Sequence, residues 1–213
     1  GVLCQKSRRD NWRCVLRHLS NDNIWVIDPG DNRLSSYPHL VNIAEAISRF
    51  RDRYYEYEGK IELPNLILEP GRSLVATAGV LLGTVEHVKE TPVAKWVMID
   101  AGMNDMMRPA IYESYHEITP CTIRAEKEVV SVAGGLCESS DVFGKDREIS
   151  KMEVKDTVAI LDVGAYGISM ANNYNSRGKP AMILTNEKEV SLIRARETLA
   201  DLISKDIVPN HLL

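Results

Sequence analysis

A chain of 213 residues, 44% hydrophobic and 26% charged, can bury the core of one or two ordinary soluble domains. Its net charge of −4 and the lack of a basic stripe argue against a nucleic-acid partner. Apolar runs such as residues 93–99 and 158–163 are far shorter than a membrane span, so no membrane is expected as a partner.

Cys4, Lys6, Arg8 and Arg9 have no apolar stretch behind them, which is not the pattern of a secretory signal. The four cysteines, Cys4, Cys14, Cys121 and Cys137, form no pair with metal-ligand spacing, so no metal site is expected. They are too few for a disulfide framework in a chain this long. A reducing, cytoplasmic compartment follows, in which any special cysteine is special for its chemistry.

In chain order, residues 1–36 stand apart. They hold two of the four cysteines and two of the three tryptophans and show little sustained helical or strand periodicity. From Pro38 the pattern is regular: Val41, Ala44, Ile47 and Phe50 mark one face of a helix over residues 39–55. Residues 65–68 form a short apolar strand closed by Glu-Pro-Gly. Residues 75–88, β-branched and dotted with glycine, fit either a helix start or strands. Residues 96–99 make a strand. Strands are also expected at 122–124, 128–133, 157–163 and 181–184. A turn is expected at 153–156, a loop at 172–180 and a last short helix at 197–204. The pattern predicts the tail of an α/β unit followed by a mainly β domain, with the boundary near residues 70–80.

Four runs carry chemistry. In Leu66-Ile67-Leu68-Glu69-Pro70-Gly71-Arg72-Ser73, a strand ends in a turn whose backbone N–H groups and arginine can hold a phosphate. Taken alone, it reads more readily as an ordinary strand end with a surface arginine. In the run from Asp100 to Asp105, followed by Arg108, Pro109 and Tyr112, an arginine and a tyrosine four apart share a helix face and can grip a carboxylate. The plainer reading makes Asp105 a helix cap and leaves Arg108 in solvent. In Gly134-Gly135-Leu136-Cys137-Glu138-Ser139-Ser140-Asp141, Cys137 can donate a proton and Glu138 can bind an ammonium; a buried structural cysteine is the alternative. In Asp162-Val163-Gly164-Ala165-Tyr166-Gly167, a tyrosine between glycines at a strand end can reach a ligand or fill a core.

The order and spacing of these runs resemble the diaminopimelate decarboxylases, with an archaeal flavour that extends to Ser169-Met170-Ala171-Asn172-Asn173-Tyr174-Asn175. These are fold-type III pyridoxal-phosphate decarboxylases, related to the ornithine and arginine decarboxylases. The resemblance spans roughly residues 38–213. It implies the end of a (β/α)8 barrel over 37–75 and a C-terminal β domain over 76–213. It further implies pyridoxal 5'-phosphate as cofactor, meso-diaminopimelate as substrate, L-lysine as product and a homodimer with shared active sites. By the same resemblance Glu69, Pro70, Gly71, Arg72 and Tyr166 bind the cofactor. Arg72, Arg108, Tyr112, Glu138 and Tyr166 bind substrate, and Cys137 is the catalytic proton donor. A substrate with a distal carboxylate as well as a distal ammonium uses both Arg108 and Glu138, whereas one with a distal amine alone has no use for Arg108.

The resemblance also marks departures. The glycine triplet expected before residue 37 is replaced by Asp28-Pro29-Gly30-Asp31-Asn32. The Schiff-base lysine and the ring-stacking histidine have no counterpart, which implies an incomplete chain, inactive alone, from a shifted reading frame or a truncated gene. Two other functions stay open: a non-catalytic binding or dimerisation module, and an ornithine- or arginine-type decarboxylase.

Overall fold

A computed structural model describes the strands at 14–19, 24–29 and 65–68, and residues 71–186 and 188–212. The expected helix at 39–55 lies outside the described residues. The chain divides into two compact units, Gly1–Thr77 and Ala78–Leu213.

In the first unit, β1 (Cys14–Leu19) pairs antiparallel with β2 (Ile24–Pro29), and β2 pairs parallel with β3 (Asn65–Leu68). The strand at 65–68 lies where the apolar run placed it. The strands at 14–19 and 24–29 correct the reading of residues 1–36 as lacking periodicity. Val15, Leu16 and Leu19, then Ile24, Val26 and Ile27, are short β-formers whose signal is diluted by the polar residues around them. A short helix, α1 (Arg72–Val75), opens just after Gly71.

The second unit is a six-stranded sheet in the order β6-β9-β4-β5-β7-β8. Its strands are β4 (Leu81–Glu90), β5 (Lys95–Ile99), β6 (Ile118–Pro120), β7 (Lys127–Ala133), β8 (Val142–Ser150) and β9 (Thr157–Ile160). β4 alternates inward at Gly83 and Val85, and β5 at Val97 and Ile99, as period-2 patterning requires. The two join through a tight turn in which Thr91 and Ala94 exchange hydrogen bonds. β4 pairs with β9 over its first half and β5 over its second, with a bulge near Val85. The sheet curls until Ile118 of β6 reaches Gly144 of β8. Val85, Val97, Ile99, Ile118, Val130, Val132, Phe143, Val158 and Ile160 fill the interior.

One topological feature positions the site. β5 and β7 run parallel, with Trp96 opposite Ser131 and Met98 opposite Ala133. Parallel neighbours need a crossover, and residues 100–126 provide it. Their C-terminal ends therefore lie side by side, and the loops after Ile99 and after Ala133 leave the sheet at one edge. β10 (Met182–Thr185), β11 (Val190–Arg194) and α3 (Leu199–Ile203) follow. α3 starts at a reciprocal cap between Thr198 and Asp201.

Several expectations need correction. Residues 75–88 take both forms offered: α1 and a 3-10 turn at Ala76–Ala78, then β4. The strand expected at 122–124 lies earlier, at Ile118–Pro120, where both end residues are buried. Arg124 instead sends its guanidinium to Asp156 and to the Lys151 carbonyl. The strand expected at 157–163 stops at Ile160, because Asp162 is left-handed at φ 61°. β8 and β11 had no counterpart in the reading; Lys145, Asp146, Arg147 and Glu148 hide the alternation of the first, and the second is exposed along its length.

Ile99 is 1% exposed within this interior. Ile99→Ala is expected to lower unfolding free energy by about 2–5 kcal/mol. Urea denaturation followed by circular dichroism checks this, and a loss below about 1 kcal/mol would place Ile99 outside a close-packed core.

Candidate active site

Asp141 organises the sheet edge. It is 3% exposed, and its two carboxylate oxygens accept from the backbone N–H of Met103, at 2.6 Å, and of Leu136, at 2.8 Å. Its own carbonyl accepts from Gly134 N at 2.9 Å. One side chain thus joins the loop after β5 to the turn after β7. A Cβ on Gly134 would run into this carboxylate, and a Cβ on Gly102 would run into Leu136. Both glycines are needed for close approach. Asp105 does the matching task inside the first loop, accepting from Gly102 N at 2.9 Å and from Asn104 Nδ2 at 2.8 Å. It caps this turn rather than a helix: Met107 is the cap of α2 (Arg108–Tyr112) and makes no side-chain capping bond. Burial raises both carboxyls above the ordinary range, against the lowering effect of their backbone donors and of Arg177.

The sequence-derived site residues of this unit fall in two groups. In the first, Arg108 is buried and lies 5.3 Å from the ring centres of both Tyr112 and Tyr166. Its Nη2 donates to Ser114 Oγ at 3.2 Å. Burial lowers the guanidinium's pKa, and the two tyrosines oppose that shift. The expectation that Arg108 and Tyr112 share a helix face describes this geometry, and the alternative of a solvated Arg108 does not. Tyr166 arrives from the loop after β9, held in left-handed backbone at φ 61°. That loop is tied to the segment after α2: Leu161 N donates to the Glu117 carbonyl at 2.9 Å, and His116 Nδ1 meets the Leu161 carbonyl at 2.8 Å. Both tyrosine rings stay about half-exposed.

In the second group, Cys137 is exposed next to Glu138. The Glu138 carboxylate accepts from Ser140 N at 3.1 Å, Ser140 Oγ at 3.0 Å and Tyr174 Oη at 3.0 Å. The Ser140 donors first, and then Tyr174, hold its pKa below the usual carboxylate value. Gly71 and Arg72 belong to the first unit, at the entry to α1, and Glu69 and Pro70 lie outside the described residues. Asp141, Asp105, Tyr174 and Arg177 received no ligand-site or loop-tying role from the sequence. Asp141 at the end of a glycine-rich turn was the readable signal, since such a carboxylate can satisfy the N–H groups the turn exposes.

Comparison with known proteins decides the family. Residues 22–164 match the model described as pyridoxal-dependent decarboxylase, C-terminal sheet domain. The chain belongs to this family. It is 75% identical over 176 residues to the diaminopimelate decarboxylase of Methanocaldococcus jannaschii, covering 83% of this chain and 40% of that one. It is 44% identical over 138 residues to the Zymomonas mobilis diaminopimelate decarboxylase, covering 65% and 33%. The crystal structure of the M. jannaschii enzyme with L-lysine matches with a TM-score of 0.68 at 73% identity, over 76% of this chain and 37% of that one. The chain therefore spans about 40% of the length of the M. jannaschii relative. The expected fold, a mainly β C-terminal domain of a fold-type III decarboxylase, is the one found.

The carboxylate tie makes a stability prediction. Asp141→Asn turns an amide N–H₂ toward one of the two backbone N–H donors, leaving that donor unsatisfied, at a cost of about 1–3 kcal/mol. The raised folded-state pKa of Asp141 sets a sign as well. A group raised on folding adds stability fully below its unfolded value, and that contribution is lost as pH climbs through the folded one. Carboxyl ¹³C titration should find Asp141 above the ordinary aspartate range, and a value below it would remove burial as the dominant cause.

Proposed function

We propose that this chain supplies the substrate-recognising half of a diaminopimelate decarboxylase, acting with pyridoxal 5'-phosphate on meso-diaminopimelate to give L-lysine. The observation that carries the reading is that the chain offers opposite charges on fixed supports, one for its own site and one for a neighbouring subunit's. Arg108 is a cation set against two tyrosine rings, and Glu138 is an anion fixed by donors on both oxygens. A substrate whose far end bears a carboxylate and an ammonium calls for one of each. An ornithine-like substrate calls only for the second.

The donor chemistry of the chain suits the cofactor. Gly71 and Arg72 offer backbone N–H and a guanidinium for its phosphate, and Glu69 and Pro70 belong to the same cofactor-binding run by family resemblance. Tyr166 offers a half-exposed phenol at the substrate side. When bound, the cofactor supplies an electron sink for the carbanion left by loss of carbon dioxide. The chain's own residues bind the substrate and move a proton. Arg108 and Tyr112 hold the distal carboxylate, Glu138 holds the distal ammonium, and the exposed Cys137 thiol delivers a proton to the substrate carbon. Cys137 and Glu138 serve the site of a neighbouring subunit in a homodimer, and the enzyme works in the cytoplasm.

The test supplies the barrel portion of the M. jannaschii relative as a second chain. Carbon dioxide release from meso-diaminopimelate is expected from the mixture with cofactor and not from the 213-residue chain alone. Release with ornithine but not with diaminopimelate would favour the polyamine-type reading. Failure of a stably assembled mixture on both substrates would favour a binding module.

In the active assembly, Arg108→Ala is expected to raise KM for meso-diaminopimelate on the order of 10- to 100-fold, the loss of a charge-assisted hydrogen-bonded contact. Cofactor affinity, read from absorbance, should change far less. An unchanged KM would take Arg108 out of the substrate site.

A further inference from the structure

Glu138 has two kinds of support. Ser140 lies two residues away and bonds to Oε1 as part of the same turn. Tyr174 is 36 residues away and bonds to Oε2. Among the described residues it is the distant donor to this carboxylate. A carboxylate held only by its own turn can swing with that turn. One held from two directions has a fixed plane, and fixed geometry is what lets a charged contact discriminate between ligands.

Tyr174 is itself well anchored for a half-exposed residue. Its backbone N–H donates to Asn172 Oδ1 at 2.9 Å, and Asn172 N donates to the Asn104 carbonyl at 2.9 Å. Asn173 Nδ2 reaches the Arg177 carbonyl at 2.9 Å and Glu197 Oε2 at 2.7 Å. Arg177 Nη2 donates to the Asp100 carbonyl at 2.7 Å. Asn175 and Ser176 are left-handed, at φ 55° and 56°, a conformation that a serine adopts only when its surroundings impose it. The loop is thus fastened on both sides to the segment that Asp141 ties to the Glu138 turn.

We propose that Tyr174 is a positioning residue for Glu138: its phenol donates to Oε2, fixes the plane of the carboxylate, and leaves the outward lone pairs for the distal ammonium of the substrate. This rests on the assignment of Glu138 as the ammonium-binding group. The other charged groups of this neighbourhood are Asp141 and Arg177, whose fields meet that of Glu138 at Asp141.

The contact is reciprocal, which makes it testable without catalysis. The phenol stabilises the ionised carboxylate, and the carboxylate retains the phenol's proton, raising Tyr174 above the usual tyrosine value. In ¹³C NMR titrations of the full 213-residue chain, Tyr174→Phe should move the Glu138 pKa up. Glu138→Gln should move the Tyr174 pKa down. If either titration stays where it was in a variant whose ¹H–¹⁵N spectrum is otherwise preserved, the contact is absent and the proposal falls. Should Tyr174→Phe disturb folding, the Glu138→Gln arm decides alone, since that side chain lies outside the core.

The assembled enzyme separates positioning from a purely structural tie. Tyr174→Phe should raise KM for meso-diaminopimelate by about 2- to 10-fold, the range of one hydrogen bond, with a smaller change in kcat. A fall in kcat at constant KM would overturn the positioning role. If the wild-type assembly decarboxylates nothing while both pKa shifts appear, the decarboxylase reading fails and the Tyr174–Glu138 contact survives. If the enzyme is active and the shifts are missing, the reverse holds.

Discussion

The arrangement of this site depends on one buried carboxylate. Asp141 satisfies Met103 N and Leu136 N, two donors that turn geometry would otherwise leave exposed or orphaned in a half-buried sheet edge. An unmet buried donor costs about 1–3 kcal/mol, so the two turns are stable together in a way neither is alone. Gly102 and Gly134 follow from this constraint, since a side chain at either position would collide with the partner turn. The burial of Asp141 also raises its pKa, and Arg177 is placed to offset that field while its guanidinium bonds to the Asp100 carbonyl. The tie between the turns and the charge balance around it are therefore one network.

The parallel pairing of β5 with β7 is what allows a single aspartate to do this. Had the strands been antiparallel neighbours, the loop after Ile99 and the loop after Ala133 would leave opposite edges of the sheet. The crossover that parallel pairing demands then becomes useful length: residues 100–126 carry the Asp105 turn, α2 with Arg108, and β6. His116 and Leu161 join that crossover to the loop of Tyr166, which brings the second tyrosine to the guanidinium. Cation–aromatic contacts at exposed sites contribute about 0.5–1 kcal/mol each. For a guanidinium partly stripped of water, two such faces orient the group more than they stabilise the fold.

The sequence was legible where chemistry and periodicity agree. The strands at 95–99 and 127–133 are dense in β-formers, Trp96, Val97 and Ile99 in one and Val129, Val130 and Val132 in the other, and the four motif runs carry enough rare composition to identify the family. Arg108, Tyr112 and Tyr166 could be named individually, and Arg108 and Tyr112 could be placed on one helix face, but the meeting of Tyr166 with the same guanidinium was not read. What was not legible was the connecting layer. Asp141 and Asp105 look like ordinary turn residues until the parallel register brings their donors within reach. Tyr174 sits in a polar stretch whose composition says loop and nothing about which carboxylate its phenol meets. β8 was invisible because Lys145, Asp146, Arg147 and Glu148 interrupt its alternation, and Asp146 is left-handed. The strands at 14–19 and 24–29 were missed for a related reason: Arg17 and His18 break the apolar run of the first, and Asn23 and Asp28 crowd the ends of the second.

Part of the strained backbone of the second unit flanks the three tyrosines described above. Among the described residues, seven non-glycine positions are left-handed; Asp146, Lys155 and Asp162 lie elsewhere in the second unit, and the other four are Glu113 (just after Tyr112), Tyr166 itself, and Asn175 and Ser176 (just after Tyr174). Each of these four adjoins or is a tyrosine that touches Arg108 or Glu138. Such conformations cost on the order of 1 kcal/mol or more for a residue with a Cβ. They persist here because neighbouring hydrogen bonds over-determine the loops: Leu161 and His116 behind Tyr166, and Asn172, Asn173 and Arg177 around Tyr174. Exposed rings on relaxed loops would sample many orientations, and a bound ligand would have to order them. Holding three tyrosines by strained but fastened backbone moves that ordering into the folding of the domain, so that the surroundings of Arg108 and of Glu138 are set by the fold itself.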